Sequence, residues 1–414
     1  VSKAYSGAEP VIAAARDGTL YVEGVGVGPD PRLGDVIQNK VSRSTDDGRT
    51  WSDVTPPALG EDGSLDGFMT VGNGDSVYAS NAAGTTFQLF RSDDKAATWT
   101  LLDVPRLPLS IHRHWYVASG PSTLFVVLEA LPPAYWAYFA SGRDPPAQPD
   151  DAPNQGLWFL RSDDKGATWT VPQQIDTIPN FGGQGELVAS PDGRSLYVPR
   201  YDEGDGFEKT YANGTWYLLS SHDGGSTWKR SPMVRLTGSL STTIPPLALD
   251  DAGRLFFAWS QQVENTSRIQ YTFSRDQGAS WATPRALPGD AGTDAMVWAR
   301  ARGDGNLSLL WYRADVYGQA SKVNASWFVE YAEISAADTD APSVVEQRVT
   351  PDEVHHGNIC ARATSCGPDE DRSLLDYPWM DFTSDGRAHL VFPSTKWTNP
   401  YDAFAVVAVQ AARP

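Results

Sequence analysis

Four histidines, two cysteines and two short acidic runs are the residues whose types suggest chemistry before any repeat is sought. His112, His114, His355 and His356 carry nitrogens of the kind that bind zinc. His114 reads as a strand residue and His355-His356 as part of a loop, so the expectation is that they do not meet at a metal. Cys360 and Cys366 are the only cysteines, and the five residues between them suit a small disulfide-closed loop and show no metal-ligand spacing. Asp202, Glu203 and Asp205, and Asp369, Glu370 and Asp371, could hold Ca²⁺ through oxygen ligands, although neither run follows an EF-hand pattern. The expectation is therefore no cofactor, with structural calcium left open. No glycine-rich phosphate loop, Ser-His-Asp order or redox CxxC is present.

Charge and export signals narrow the setting. With 51 acidic against 33 basic residues and a net charge of -18, the chain repels phosphate backbones and anionic membranes, which argues against nucleic acid as a partner. A disulfide implies an oxidising compartment, and the N-x-[ST] sequons at Asn213, Asn265, Asn306 and Asn324 point the same way. No apolar run is long enough to span a bilayer, and a start at Val1 fits a processed or trimmed N-terminus. The expected setting is secreted or cell-surface, with glycan or an extracellular protein as partner.

The elements that must position any site come from repetition. The pattern S-x-D-x-G-x-[ST]-W occurs at Ser44 to Trp51, Ser162 to Trp169, Ser221 to Trp228 and Ser274 to Trp281, with a variant carrying Ala96 at Ser92 to Trp99. Asp beside Gly supplies hairpin geometry, Ser/Thr and Asp side chains bond local backbone, and Trp anchors the turn. A second repeat, an apolar strand, a tight turn and another strand, appears at Glu9 to Val22, Asp66 to Ala79, His114 to Val127, Glu186 to Val198, Ile244 to Trp259, Asp294 to Tyr312 and Tyr377 to Phe392. Five are followed by the Ser-to-Trp pattern; the sixth leads into Trp327 to Ile334 and the seventh ends in Phe404 to Val409. Seven repeats over 414 residues come to about 59 each, a propeller period. The predicted fold is all-β: one seven-bladed β-propeller of four-stranded antiparallel blades over residues 1–414, six blades being the alternative. Val1 to Ser6 would supply the outer strand of the last blade. Residues 128–156 and 335–373 read as long loop insertions.

These turns resemble the Asp-box, or BNR, repeat of sialidases and related propellers, in which the motif links the two outer strands of a blade. In sialidases the resemblance implies three arginines clamping a carboxylate, a Tyr nucleophile activated by Glu, and an Asp acid/base. Carried over by motif, Asp66 in Leu65-Asp66-Gly67-Phe68 resembles the acid/base strand, with Gly67 where that family has Pro. Glu186 and Arg200 resemble the activating Glu and a clamp arginine, Arg268 is a further arginine, and Tyr377 stands in the nucleophile register. Arg32 completes the arginines considered for substrate binding. The departure is at the opening strand, where Ala8-Glu9-Pro10 replaces the family's Arg-Ile-Pro and sets a carboxylate against an acidic sugar. The chain also resembles exported sialidase-like Asp-box proteins through His112-Arg113-His114-Trp115-Tyr116-Val117, Gly357 to Cys366, and Asp371 to Tyr377, which implies a fold and a location rather than a reaction.

An intact scaffold beside a broken clamp leads to the expectation of a recognition or structural module binding glycan or protein at the propeller mouth. The alternative is a retaining, sialidase-like exo-glycosidase with a Tyr nucleophile, acting on a sugar other than a typical sialoside.

Overall fold

The computed structural model describes residues 2–30, 34–57, 59, 66–72, 74–83, 86–107, 109–131, 154–178, 185–202, 214–236, 238, 240–289, 292–361, 366–396 and 404–410, and among them every regular element is a β-strand. Blade 1 holds β1 (Ser2–Ala14), β2 (Leu20–Asp30), β3 (Gly34–Ser44) and β4 (Ser52–Asp53), and blade 2 holds β5 (Asp66–Val71), β6 (Val77–Ala83), β7 (Thr86–Ser92) and β8 (Thr100–Leu101). Blade 3 is β9 (Ser110–Ser119), β10 (Thr123–Leu131), β11 (Gly156–Ser162) and β12 (Gln173–Asp176); blade 4 is β13 (Val188–Ala189), β14 (Leu196–Asp202), β15 (Thr215–Ser221) and β16 (Lys229–Arg235). Blade 5 follows with β17 (Leu247–Leu249), β18 (Leu255–Val263), β19 (Thr266–Ser274) and β20 (Arg285–Ala286). Blade 6 has β21 (Thr293–Arg302), β22 (Asn306–Ala314), β23 (Ala325–Ser335) and β24 (Ser343–Arg348), with β25 (His355–Gly357) added to β23. Blade 7 has β26 (Trp379–Phe382), β27 (Ala388–Ser394) and β28 (Phe404–Val409), completed by the first part of β1.

The ring closes through β1, as the sequence led one to expect. Its first residues pair with β28, Ser2 opposite Val407 and Ser6 opposite Phe404, and from Gly7 onward it pairs with β2. One strand thus serves two blades, and opening the ring there would break the β1–β28 ladder. Blades stack on both faces, which is why β10 is buried at every position after Thr123 and reads as an apolar run interrupted only by Glu129 rather than an alternation.

The Asp-boxes are turns linking the third and fourth strands of blades 1 to 5. In the blade 3 box, Ser162 Oγ donates to Asp164 Oδ1 at 2.8 Å and accepts from Gly166 N at 2.7 Å, while Thr168 N and Oγ1 donate to the two oxygens of Asp164 at 2.8 and 2.7 Å. Two consecutive left-handed residues make the turn, Lys165 (φ 60°) and Gly166 (φ 88°), which is why the second is Gly in four of the five copies. Blade 6 lacks a box; there Asp338 accepts from Arg275 Nε at 2.8 Å and pairs with Arg254 Nε at 3.0 Å.

Segment 335–373 departs from its reading as a loop, because it contains β24 and β25. The alternation signal of β24 is weak, since five of its six side chains are exposed. Of segment 128–156, residues 128–131 continue β10, and 132–153 lie outside the described residues. The Cys360–Cys366 disulfide is formed.

Candidate functional site

Antiparallel order sets the two ends of the ring apart. Each inner strand starts at one end, the mouth, while the hairpins between first and second strands and the Asp-boxes lie at the other. A side chain's depth therefore follows from how many residues separate it from the end of its inner strand.

Midway along, the axis is closed by aromatic rings. Trp298 and Trp379 stack with centroids 3.9 Å apart, Trp115 stacks on Trp379 at 6.0 Å, and Phe68 meets Trp115 edge-on at 4.9 Å. Tyr377, two residues nearer the mouth than Trp379, packs against Trp298 at 5.4 Å and is 7 % exposed. Four blades contribute these rings, and packing of this kind adds to area burial through edge and offset contacts.

On the mouth side lies a cluster of two carboxyl groups and two arginines. Asp376 is buried, paired with Arg372 Nη2 at 2.6 Å and Arg113 Nη2 at 3.4 Å, and hydrogen-bonded to Glu9. Burial works to raise the Asp376 carboxyl, but Arg372 and Arg113 outweigh it and hold it below the usual carboxylate range. Glu9 sits at a bulge in β1 with φ 50°, a left-handed conformation that costs a non-glycine residue about 1–2 kcal/mol. Arg113 and Arg372 are thus already matched to the protein's own carboxylate.

At the level of these rings, Glu186 lies two residues before β13 begins, and Arg300 two before the end of β21. They form a two-point ion pair, Nη1 to Oε2 at 2.6 Å and Nη2 to Oε1 at 3.0 Å, and the guanidinium lies over the Trp379 ring at 4.6 Å. Burial raises the Glu186 carboxyl, and Arg300 offsets part of that. Asp381, also raised by burial, accepts from Ala14 N at 2.9 Å. Glu186 therefore meets Arg300 beside the Trp379 ring, and Tyr377 lies two residues nearer the mouth than Trp379.

The other positions carried over by resemblance fall as follows. Arg200 is fully buried, bound by Glu129, by Asp176 at 3.2 Å and by the Ile178 carbonyl; these pairs outweigh burial and hold the guanidinium charged. Its donors join blades 3 and 4 and do not face solvent. Arg268 donates to the Gly292 carbonyl at 2.8 Å and lies over Tyr317 at 5.5 Å. Asp66 opens β5 opposite Ala82, and its side chain, like those of His112 and Asp202, lies outside the description. Arg32, Glu203, Asp205 and Asn213 lie outside the described residues.

The described histidines hold separate structural partners. His114 Nε2 meets Ser80 Oγ at 2.6 Å, and its ring is kept neutral by burial, with a pKa lowered to about 3. His355, in β25 rather than a loop, bonds Thr395 Oγ1 and the Asn358 carbonyl, both at 3.0 Å. His356 approaches Glu353 at 3.4 Å. Within the second acidic run, Glu370 bonds Lys322 and Gly367 N, each at 2.8 Å, and Asp371 accepts from Ser373 N at 2.7 Å. Asn265 and Asn324 are exposed, and Asn306 is half-buried at the start of β22.

Reading the sequence singled out Glu9, but not Asp376, Arg372 or Arg113 as its partners, nor Arg300. A signal for Arg300 existed: Trp298 and Arg300 are two apart on a strand and so share a face.

A family model described as BNR repeat-like domain matches residues 136–390. The chain belongs to this BNR repeat-like family. Among solved structures, the BNR chain is similar to a Dyadobacter fermentans DSM 18053 protein of unknown function, with TM-score 0.50 and 15% identity over 99% of this chain and 97% of that one. It is also similar to the leech intramolecular trans-sialidase complexed with 2,7-anhydro-Neu5Ac (TM-score 0.47, 13% identity, 99% of this chain and 68% of that one). The intramolecular trans-sialidase of Ruminococcus gnavus gives 0.44 and 14%, over 98% and 94%. At such identities the likeness is one of fold. No curated protein matches this BNR chain.

Proposed function

We propose that this BNR propeller is a non-catalytic glycan-recognition module, exported or displayed at the cell surface, that binds at its mouth. The observation that carries the reading is the Glu9–Asp376 pair held between Arg113 and Arg372. A carboxylate clamp needs guanidinium groups open to the ligand. Here the guanidiniums of Arg113 and Arg372 are engaged by Asp376, and that of Arg200 by Glu129 and Asp176. What the mouth offers instead is a set of fixed, partly exposed donors and acceptors above an aromatic layer, suited to sugar hydroxyls. The Cys360–Cys366 bridge and the exposed sequons at Asn265 and Asn324 support export.

Hydrolysis of a panel of chromogenic glycosides, sialosides included, by wild type and Tyr377→Phe tests the claim of no catalysis, alongside retention on immobilised glycans. The expected result is no turnover with retention that weakens in Asp376→Ala. Turnover abolished by Tyr377→Phe would instead establish the retaining glycosidase built on Asp66, Glu186 and Tyr377. Retention of an extracellular protein but of no glycan would move the ligand class.

A further inference from the structure

Between blades 1 and 2 lies a layer of polar side chains unconnected to the mouth cluster. Glu23, in β2, is fully buried, and neither of its carboxylate oxygens has a hydrogen-bond partner. The Ser80 main chain lies close enough to favour the anion, but in no hydrogen-bonding geometry, and burial pushes the carboxyl well above its usual range. Asn39, in β3, is also fully buried; its amide nitrogen donates a long bond to the Ser80 carbonyl at 3.4 Å, and its Oδ1 has no partner.

Blade 2 answers with Gly67 and Asn81, which are direct cross-strand partners and so present the same face. A Cβ at Gly67 would stand 2.7 Å from Asn39 Nδ2 and 2.9 Å from Glu23 Oε1. That face is therefore turned toward blade 1. Asn81 is 1 % exposed, and its Oδ1 too lacks a partner, while its nitrogen reaches Gln88 Oε1 at 3.5 Å. Gly67 leaves the room that a proline at this position would fill.

Four acceptor oxygens, Glu23 Oε1 and Oε2, Asn39 Oδ1 and Asn81 Oδ1, thus stand in one buried layer with no donor to them among the described residues, the Asn39 and Asn81 amide nitrogens being turned to Ser80 and Gln88. Each buried polar atom left so carries a desolvation penalty of about 1–3 kcal/mol, and a set of oxygens alone is the chemistry that hard cations take. Among the described residues no arginine or lysine pairs with Glu23. Burial disfavours the Glu23 anion, so a cation must bring the compensating charge: with Glu23 ionised a monovalent ion leaves the layer neutral, whereas a divalent one would leave a net charge buried at a cost of several kcal/mol.

We propose that this layer binds a single sodium ion through Glu23, Asn39 and Asn81, tying blade 1 to blade 2 beside the ring closure.

The test is the thermal midpoint of the whole protein in sodium chloride and in choline chloride at matched ionic strength, with calcium chloride as a third arm. Sodium should raise the midpoint by about 2 °C for a chain of this size, and Glu23→Gln and Gly67→Ala should each remove that response. Crystals soaked in thallium(I) should show an anomalous peak between Glu23 and Asn39. Equal midpoints in sodium and choline, with no thallium peak, would overturn the proposal in favour of a protonated Glu23 beside ordered water. Stabilisation by calcium alone would overturn the monovalent assignment.

Discussion

Glu186 and Arg300 face each other across the ring, two guanidinium nitrogens on two carboxylate oxygens at 2.6 and 3.0 Å, with Trp379 beneath the guanidinium at 4.6 Å. The pair joins blade 4 to blade 6, two blades that are not neighbours, and so ties the ring across its axis.

Breaking this pair should be costly and should leave the mouth intact. Arg300→Ala leaves Glu186 buried and unmatched, and a loss of about 3–5 kcal/mol is expected in urea unfolding. The double change Glu186→Leu with Arg300→Met should recover most of it, because two well-packed apolar groups carry no desolvation cost. Glycan retention, measured at a temperature where each variant is folded, should be unchanged. A loss of retention in the well-folded double variant would place Glu186 in the binding machinery.

The Asp-boxes should give the fold an acid limit. Asp46, Asp94, Asp164, Asp223 and Asp276 each have a carboxyl pKa lowered to about 2, first by the hydroxyl of the Thr or Ser four residues on and then by that residue's main-chain N–H. The folded pKa lies below the unfolded value near 3.8, so the stabilisation is complete above that value and is lost as pH falls toward 2. The thermal midpoint should fall across this window, and Asp164→Asn with Asp223→Asn should be less stable at pH 6 but show a shallower fall. An unchanged slope in the double variant would show that other groups set the acid limit.

The blade 2 box contains a natural experiment in backbone strain. Ala96 occupies a left-handed position at φ 63° that is Gly48, Gly166, Gly225 and Gly278 in the other copies. Ala96→Gly should stabilise the protein by about 1 kcal/mol. The converse, Gly225→Ala, sets a Cβ 2.2 Å from the Phe159 ring at φ 93° and should cost about 2–4 kcal/mol. Chemical denaturation of the two variants reads both signs. A destabilised Ala96→Gly would mean that the Ala96 methyl contributes more by packing than its backbone loses in strain.

Blade number, hairpin positions, Asp-box turns and the disulfide were legible in the amino-acid sequence because each depends on residues close together in the chain. Asp-Gly pairs, alternating apolar positions and the Ser, Asp, Thr and Trp of each box act within a few residues, and repetition makes the pattern redundant. Even ring closure by Val1 to Ser6 followed from counting strands. Partners across the ring were not legible, because they depend on how far each inner strand runs before its hairpin. β13 is two residues long and β21 ten. Glu186 stands just ahead of β13 and meets Arg300 of a blade that is not its neighbour. Likewise Glu9 meets Asp376 only because β1 closes the ring beside blade 7, and Gly67 is explained only by the Glu23 and Asn39 side chains of another blade. Turn chemistry is local and the chain spells it out; the pairing of buried charges is set by register between blades, which only the folded ring decides.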